Sequence, residues 1–142
     1  MKKTNNKGFS LVELIVVVAI MAVLMVVVAP QLLRYVEKTR VQRDESAAAE
    51  VLHVVEIAVA DETVNSKLSA TNVIEVKNGS IAAGATNPAP AELVKEVTDS
   101  FSGGSISLVS NTHKAQTYTI TVTVPTGGGA PIVKGEWPTA TP

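Results

Sequence analysis

The chain has 142 residues, of which 46% are hydrophobic and only 4% aromatic; it holds no cysteine and carries a formal net charge of -1. That length allows one small globular unit beside a long helix, not two substantial domains. The charge balance lacks the clustered Lys and Arg that bind phosphate backbones, so there is no strong nucleic-acid signal. With no cysteine, a disulfide framework is excluded.

Residues 1–8 contain Lys2, Lys3 and Lys7, and from Leu14 to Ala29 no side chain is polar. Together with Phe9, Leu11, Val12, Leu32 and Leu33, this run reaches the roughly 20 residues needed to span a bilayer. Near its start sits one carboxylate, Glu13. An ionisable group in such a segment costs about 2.5 to 3.5 kcal/mol on insertion scales and calls for a partner. No Lys, Arg or His lies between Phe9 and Leu33. The cation the chain can supply nearby is a new α-amino group, made by cutting the backbone just before Phe9. The leader lysines fit the positive-inside pattern of a short cytoplasmic segment, and Gly8 offers a residue without Cβ to a protease cleft. A secretory signal peptide would instead end in a small-residue cleavage site after 7 to 15 apolar residues. Here the apolar run is longer and charged helix follows it. A plain single-pass anchor is the other alternative, and Glu13 is the residue that decides against it.

The run Lys7-Gly8-Phe9-Ser10-Leu11-Val12-Glu13 closely resembles the prepilin signature of type IV pilins and pseudopilins. The resemblance covers about the first third of the chain; the rest matches the family only in general layout. It implies an α+β type IV pilin fold, with a long N-terminal helix packed on a small C-terminal antiparallel sheet. It also implies that a membrane-embedded prepilin peptidase cuts between Gly8 and Phe9 and then methylates the Phe9 amine. Glu13 then takes the place of the family's glutamate and sets the assembly register. The implied partners are further copies of the chain, alone or with minor pilins, the peptidase/methyltransferase, the pilus assembly platform, and membrane lipid before assembly. Losing the leader removes three of the 12 basic residues and leaves 9 against 13 acidic ones, a net -4. Many Gram-negative pilins close a C-terminal loop with a disulfide; the absence of cysteine departs from them and points to a Gram-positive source.

Pro30 removes one backbone donor and crowds the carbonyl of Val26, so a kink or local loosening is expected near the outer membrane face. The family commonly has a proline here, often with a glycine two turns earlier; this chain reads Met21-Ala22-Val23 instead. The bland alternative is a proline tolerated where a membrane helix meets the interface. From Gln31 to about Glu62 the pattern turns amphipathic, with Val41, Ala48, Leu52, Val55 and Val59 on one face and Gln42, Glu45, His53 and Glu56 elsewhere. Arg34, Lys38, Arg40 and Arg43 precede Asp44, Glu45 and Glu50. These bands read either as a solvated face of weak ion pairs or as charges that set the stagger between filament subunits. One helix from Phe9 to Glu62 would measure about 80 Å, with about 30 Å in the bilayer. The organisation expected is thus 1–8 leader, 9–33 membrane and assembly helix, 34–62 amphipathic helix half, and 63–142 head.

In the head, Thr71 to Val76 predicts a strand or hairpin arm and Lys77-Asn78-Gly79-Ser80 a turn. Ala82 to Pro90 reads as loop. Pro90 opens a short helix with Leu93, Val94 and Val97 as its apolar side, closed by Gly103-Gly104. Ser105 to Ser110 alternates as a strand, Asn111 to Lys114 as a hairpin loop. Thr117 to Val124 alternates strictly, with Tyr118, Ile120, Val122 and Val124 on one face and threonines on the other. Gly127 to Gly129 connects to a last strand within Pro131 to Trp137, and the tail from Pro138 hangs free. The sum is an antiparallel sheet of three or four strands with one face on the helix.

No catalytic pattern is found. His53 and His113 are isolated and read as surface or loop residues. Without cysteine or clustered His and carboxylates, no metal site or cofactor is expected, and Gly127 to Gly129 lacks the following Lys and helix of a phosphate loop. Major pseudopilins of type II secretion share the layout but usually bind calcium through a C-terminal acidic loop; beyond residue 97 only Asp99 and Glu136 are acidic here. The expected function is therefore structural and not enzymatic: a type IV pilin precursor, first in the cytoplasmic membrane, then in a surface filament. The alternatives are a pseudopilin for DNA uptake or type II secretion and, more remotely, a membrane-tethered binding module.

Overall fold

The computed structural model describes residues 9–101 and 105–138. The leader, Gly103-Gly104 and most of the tail lie outside the described residues. The chain divides into two units between Lys38 and Thr39.

A single helix, α1, runs from Leu11 to Ala58 with Pro30 inside it. In its first half, valines fill runs such as Val16–Val18 and Val26–Val28. β-Branched residues are poor helix formers in water, but a segment surrounded by lipid must satisfy every backbone group internally, which a helix does. The helical assignment continues without a break through Pro30. Every described residue from Phe9 to Val36 is exposed. This helix is long and apolar enough to cross a membrane, and none of its most apolar window is buried within the chain.

From Thr39 onward the helix gains a buried stripe of Asp44, Ala48, Val51, Val55 and Ala58. Of the face anticipated from periodicity, Ala48, Val55 and Val59 are buried, whereas Val41 and Leu52 lie only at its margin. The helix stops at Ala58, earlier than Glu62. Its last turn tightens, with the amides of Ala60 and Asp61 donating to the carbonyls of Ile57 and Ala58. Asp61 then accepts from the Thr63 amide at 2.7 Å and caps a separate short helix, α2, Glu62–Asn65. An aspartate is far better placed at such a cap than inside a helix.

Four strands follow: β1 Thr71–Lys77, β2 Ser80–Ala83, β3 Tyr118–Thr123 and β4 Ile132–Glu136, with helix α3, Ala91–Asp99, between β2 and β3. They form one antiparallel sheet in the order β2-β1-β3-β4. Gly79, at φ +84°, makes the tight β1–β2 turn, a backbone state open to glycine at little cost. One sheet face carries Ile74, Val76, Ile81, Tyr118, Ile120 and Val122, all buried in a core shared with Val51 and Val55 of α1 and Leu93 and Val97 of α3. On the other face Thr119 and Thr121 are half-buried and Thr123 is exposed. The α+β class and the antiparallel sheet are as the sequence led one to expect.

Two expectations about the head are corrected. Part of the supposed loop after Ala82 belongs to β2. The segment around Ser105 to Ser110 is not a strand, so Asn111 to Lys114 is a turn and not a hairpin loop. Its alternation is real, since Ile106, Leu108 and Ser110 are buried, but its backbone pairs with side chains and a turn instead of a neighbouring strand. The Leu108 amide donates to Asn78 Oδ1 at 3.0 Å, and the Ile106 carbonyl accepts from Gly79 at 2.8 Å. Periodicity reports burial on one side; it does not say what lies on the edges.

Candidate functional site: the N-terminal helix start and a buried carboxylate

The sequence-derived site residues sit at the beginning of α1 and within it. Gly8 lies outside the described residues. Phe9 is 83% exposed, and Glu13 falls in the first helical turn. The stretch Ser10-Leu11-Val12-Glu13 has the spacing of a capping box, in which a glutamate reaches back to the amide before the helix. That bond is present: the Ser10 amide donates to Glu13 Oε2 at 3.0 Å. The first backbone turn closes alongside it, Leu14 to the Ser10 carbonyl at 3.3 Å. Glu13 therefore has a local hydrogen-bond partner besides any cation made by proteolysis. Its negative charge at the helix N-terminus is favourable for the same reason: unpaired amides and the helix dipole both attract an anion there. The S-x-x-E spacing was readable in the sequence, but the apolar surroundings of Glu13 drew attention to its charge.

Pro30 cannot donate to the Val26 carbonyl, yet the turns on both sides remain helical. Around Glu13 and Pro30 the helix surface is otherwise apolar and exposed.

A second polar centre lies in the head unit and was not anticipated. Asp44 is completely buried. Its two carboxylate oxygens accept from the amides of Val109 and Ser110, each at 2.9 Å. Burial works against its ionised form, but the Ser110 hydroxyl and the two amides outweigh it, and the charge of His113 assists. The Asp44 carboxyl is thus held below the usual aspartate range. Charge-assisted bonds of this kind are the strong ones. The Ser110 hydroxyl also accepts from the His113 amide at 2.9 Å.

His113, read from the sequence as isolated, is buried. Its ring stacks on Trp137 at 3.9 Å and 7°, and Trp137 in turn tilts against Tyr118 at 4.9 Å. His113 Nδ1 lies 3.9 Å from Asp44 Oδ2 and has no hydrogen-bond partner among the described residues. His53 is exposed as expected and lies 3.5 Å from Glu56. Asp, Ser and His thus meet in space, but the serine hydroxyl is committed to the carboxylate and is itself buried. This arrangement clamps the 105–116 segment to α1. The sequence held a signal for it: Asp44 lies on the same stripe as Ala48, Val51, Val55 and Ala58, where a carboxylate is out of place unless something bonds it. Among the described residues, no group of three or more His, Asp or Glu is arranged to hold a metal ion.

Comparison with known proteins bears on the N-terminal site. Residues 3–29 match the family described as the prokaryotic N-terminal methylation motif. The chain is 33% identical over 81 residues to the "prepilin peptidase-dependent protein A" of Clostridium perfringens (strain 13 / Type A), an alignment covering 56% of each protein. The chain thus spans about half the length of this curated relative. No solved structure matches the chain at a significant level. The chain thus carries a methylation motif at the start of a long apolar helix, and its α+β layout, a long N-terminal helix followed in sequence by a small antiparallel sheet, fits the type IV pilin fold.

Proposed function

We propose that the chain is the precursor of a filament subunit, a structural protein and not an enzyme. Residues 1–8 form its leader, 9–33 its membrane and assembly helix, 34–58 the amphipathic half of that helix, and the residues after Ala58 its head. Prepilin peptidase cuts between Gly8 and Phe9, and the Phe9 amine is methylated. The subunit then leaves the cytoplasmic membrane for a surface filament by way of an assembly platform, joining copies of itself with or without minor pilins. The observation that carries this reading is the bare apolar helix with its carboxylate: every residue from Phe9 to Val36 is exposed, and Glu13 stands at its start. In lipid that surface is at rest, and outside lipid it needs other apolar helices around it. In the bundle, Glu13 of one subunit neutralises the Phe9 amine of its neighbour. Burial drives the association and the ion pair selects the register. A buried pair adds little net stability, but removing one partner costs about 3 to 5 kcal/mol. Pro30 supplies the point where the helix kinks as it is repacked.

Glu13 also caps its own helix, so two variants are needed. Glu13→Gln keeps a group that can reach the Ser10 amide and removes the charge, whereas Glu13→Ala removes both. Both should be cleaved and methylated normally, as read by the mass of the N-terminal peptide, and both should fail to form filaments. Normal filaments from Glu13→Gln would refute the charge-pairing role. A native protein beginning at Met1, or at any residue other than Phe9, would refute the processing.

The relative's name speaks of peptidase dependence, not of a pilus, which favours keeping a pseudopilin of DNA uptake or protein secretion as a second reading. Electron microscopy of cells labelled for the head separates the two, because a major pilin gives long fibres.

A further inference from the structure

We infer that Arg34 and Lys38 form a binding site for anionic phospholipid headgroups, which fixes the depth of the helix in the leaflet opposite the leader. The inference rests on the membrane-crossing reading of α1. Its geometry comes from the helix itself. From Glu13 to Arg34 the helix rises about 32 Å at 1.5 Å per residue, close to the roughly 30 Å of a hydrocarbon core. When Glu13 lies at one boundary of that core, Arg34 reaches the other, and Lys38 stands about 6 Å beyond it. Arg34 is the first charged residue after Glu13, with Leu32 and Leu33 directly before it.

The two cations are four residues apart in an unbroken helix, so they share one face with their Cβ atoms about 6 Å apart. Both are exposed, and among the described residues neither side chain has an ion-pair or hydrogen-bond partner. Other charged side chains of the chain do find partners, as in Lys67 with Glu92 and Lys95 with Asp99. Glu37 lies between them in sequence and already has an interaction of its own. Next to them Tyr35 is 69% exposed, an amphipathic ring of the type that settles at headgroup level. Two adjacent fixed positive charges with flexible stems can contact one lipid phosphate or two neighbouring ones, while the stems cover apolar surface beneath. An anionic lipid surface is favoured over acidic side chains of a second copy because the phosphates lie at this level as soon as the helix is inserted, before any copy is met.

The test uses the full chain in detergent micelles and nanodiscs. Native mass spectrometry compares retained phosphatidylglycerol with retained phosphatidylcholine for the wild type, for Arg34→Gln/Lys38→Gln, and for the charge-keeping Arg34→Lys/Lys38→Arg. Each cation near an anionic surface is worth about a five-fold preference, so the pair should give a preference on the order of ten- to thirty-fold. The Gln pair should lower the preference by that factor relative to the wild type and the charge-keeping pair should retain most of it, with the leader lysines contributing alike in all three. Because the chain has no cysteine, Val18→Cys gives a clean report of insertion. In nanodiscs it should resist a water-soluble maleimide in all three backgrounds.

An equal preference in the wild type and the Gln pair, with Val18→Cys protected, overturns the headgroup site and leaves the membrane span standing. A freely reactive Val18→Cys overturns the span and the inference with it. A lipid preference that the Gln pair leaves unchanged, combined with self-association that it abolishes, overturns it in favour of contact with a second copy.

Discussion

Replacing Asp44 with alanine removes the acceptor that ties the 105–116 segment to α1. The amides of Val109 and Ser110 and the Ser110 hydroxyl then lose their partner in a buried place. A buried donor left unpaired costs about 1 to 3 kcal/mol. The segment can shift to hydrate one of them, so a net loss of about 3 kcal/mol is expected. For a unit of about 100 residues this lowers the melting temperature by roughly 12 to 20 °C. The assay is thermal unfolding of the full chain in detergent, followed by near-ultraviolet circular dichroism of Trp137, which stacks on His113. Asp44→Asn should recover only part of the loss, since one amide oxygen replaces two carboxylate oxygens and its NH2 group faces a donor.

The same clamp predicts a pH dependence. Asp44 has its carboxyl held below the ordinary value of 3.8 in the folded state. Its contribution is therefore complete above the unfolded aspartate value, about 3.9, and lost as pH falls through the lower folded value. Below about pH 4 the wild type should lose stability more steeply than Asp44→Ala. A melting temperature of Asp44→Ala within about 2 °C of the wild type would refute the reasoning. It would mean that burial of Ile106 and Leu108 alone holds the segment.

Further outcomes follow from other contacts. Ser110→Ala removes one of the three donors to Asp44 and the acceptor of the His113 amide, and should cost about 1 to 2 kcal/mol by denaturant unfolding. Gly135→Ala places a Cβ against the Tyr118 ring, within 2.9 Å of Cε1 and closer still to its outer atoms. With Trp137 beside that ring, it should destabilise by about 1 to 3 kcal/mol, and Tyr118→Phe should relieve part of the loss in the double variant. Asp61→Ala removes the cap of α2 and should cost about 1 kcal/mol, read as a small shift in the urea midpoint.

The sequence by itself determined the membrane-length helix and the clue in Glu13, because both are one-dimensional properties: an uninterrupted apolar run and one charge inside it. It also determined β1, β3 and β4, where alternation over several residues and the Gly-rich connection leave few other solutions. What it missed required knowing which groups meet in space. Alternation in Ser105 to Ser110 marked a half-buried extended segment, but only the tertiary structure decided that its amides bond to Asp44 and Asn78 rather than to another strand. The same packing turned His113 from an isolated loop residue into a buried ring against Trp137. It also moved the buried stripe of α1 onto Asp44, because a carboxylate is stable in a core only when donors converge on it. Those donors come from 65 and 66 residues further along the chain, a separation that no local pattern spans.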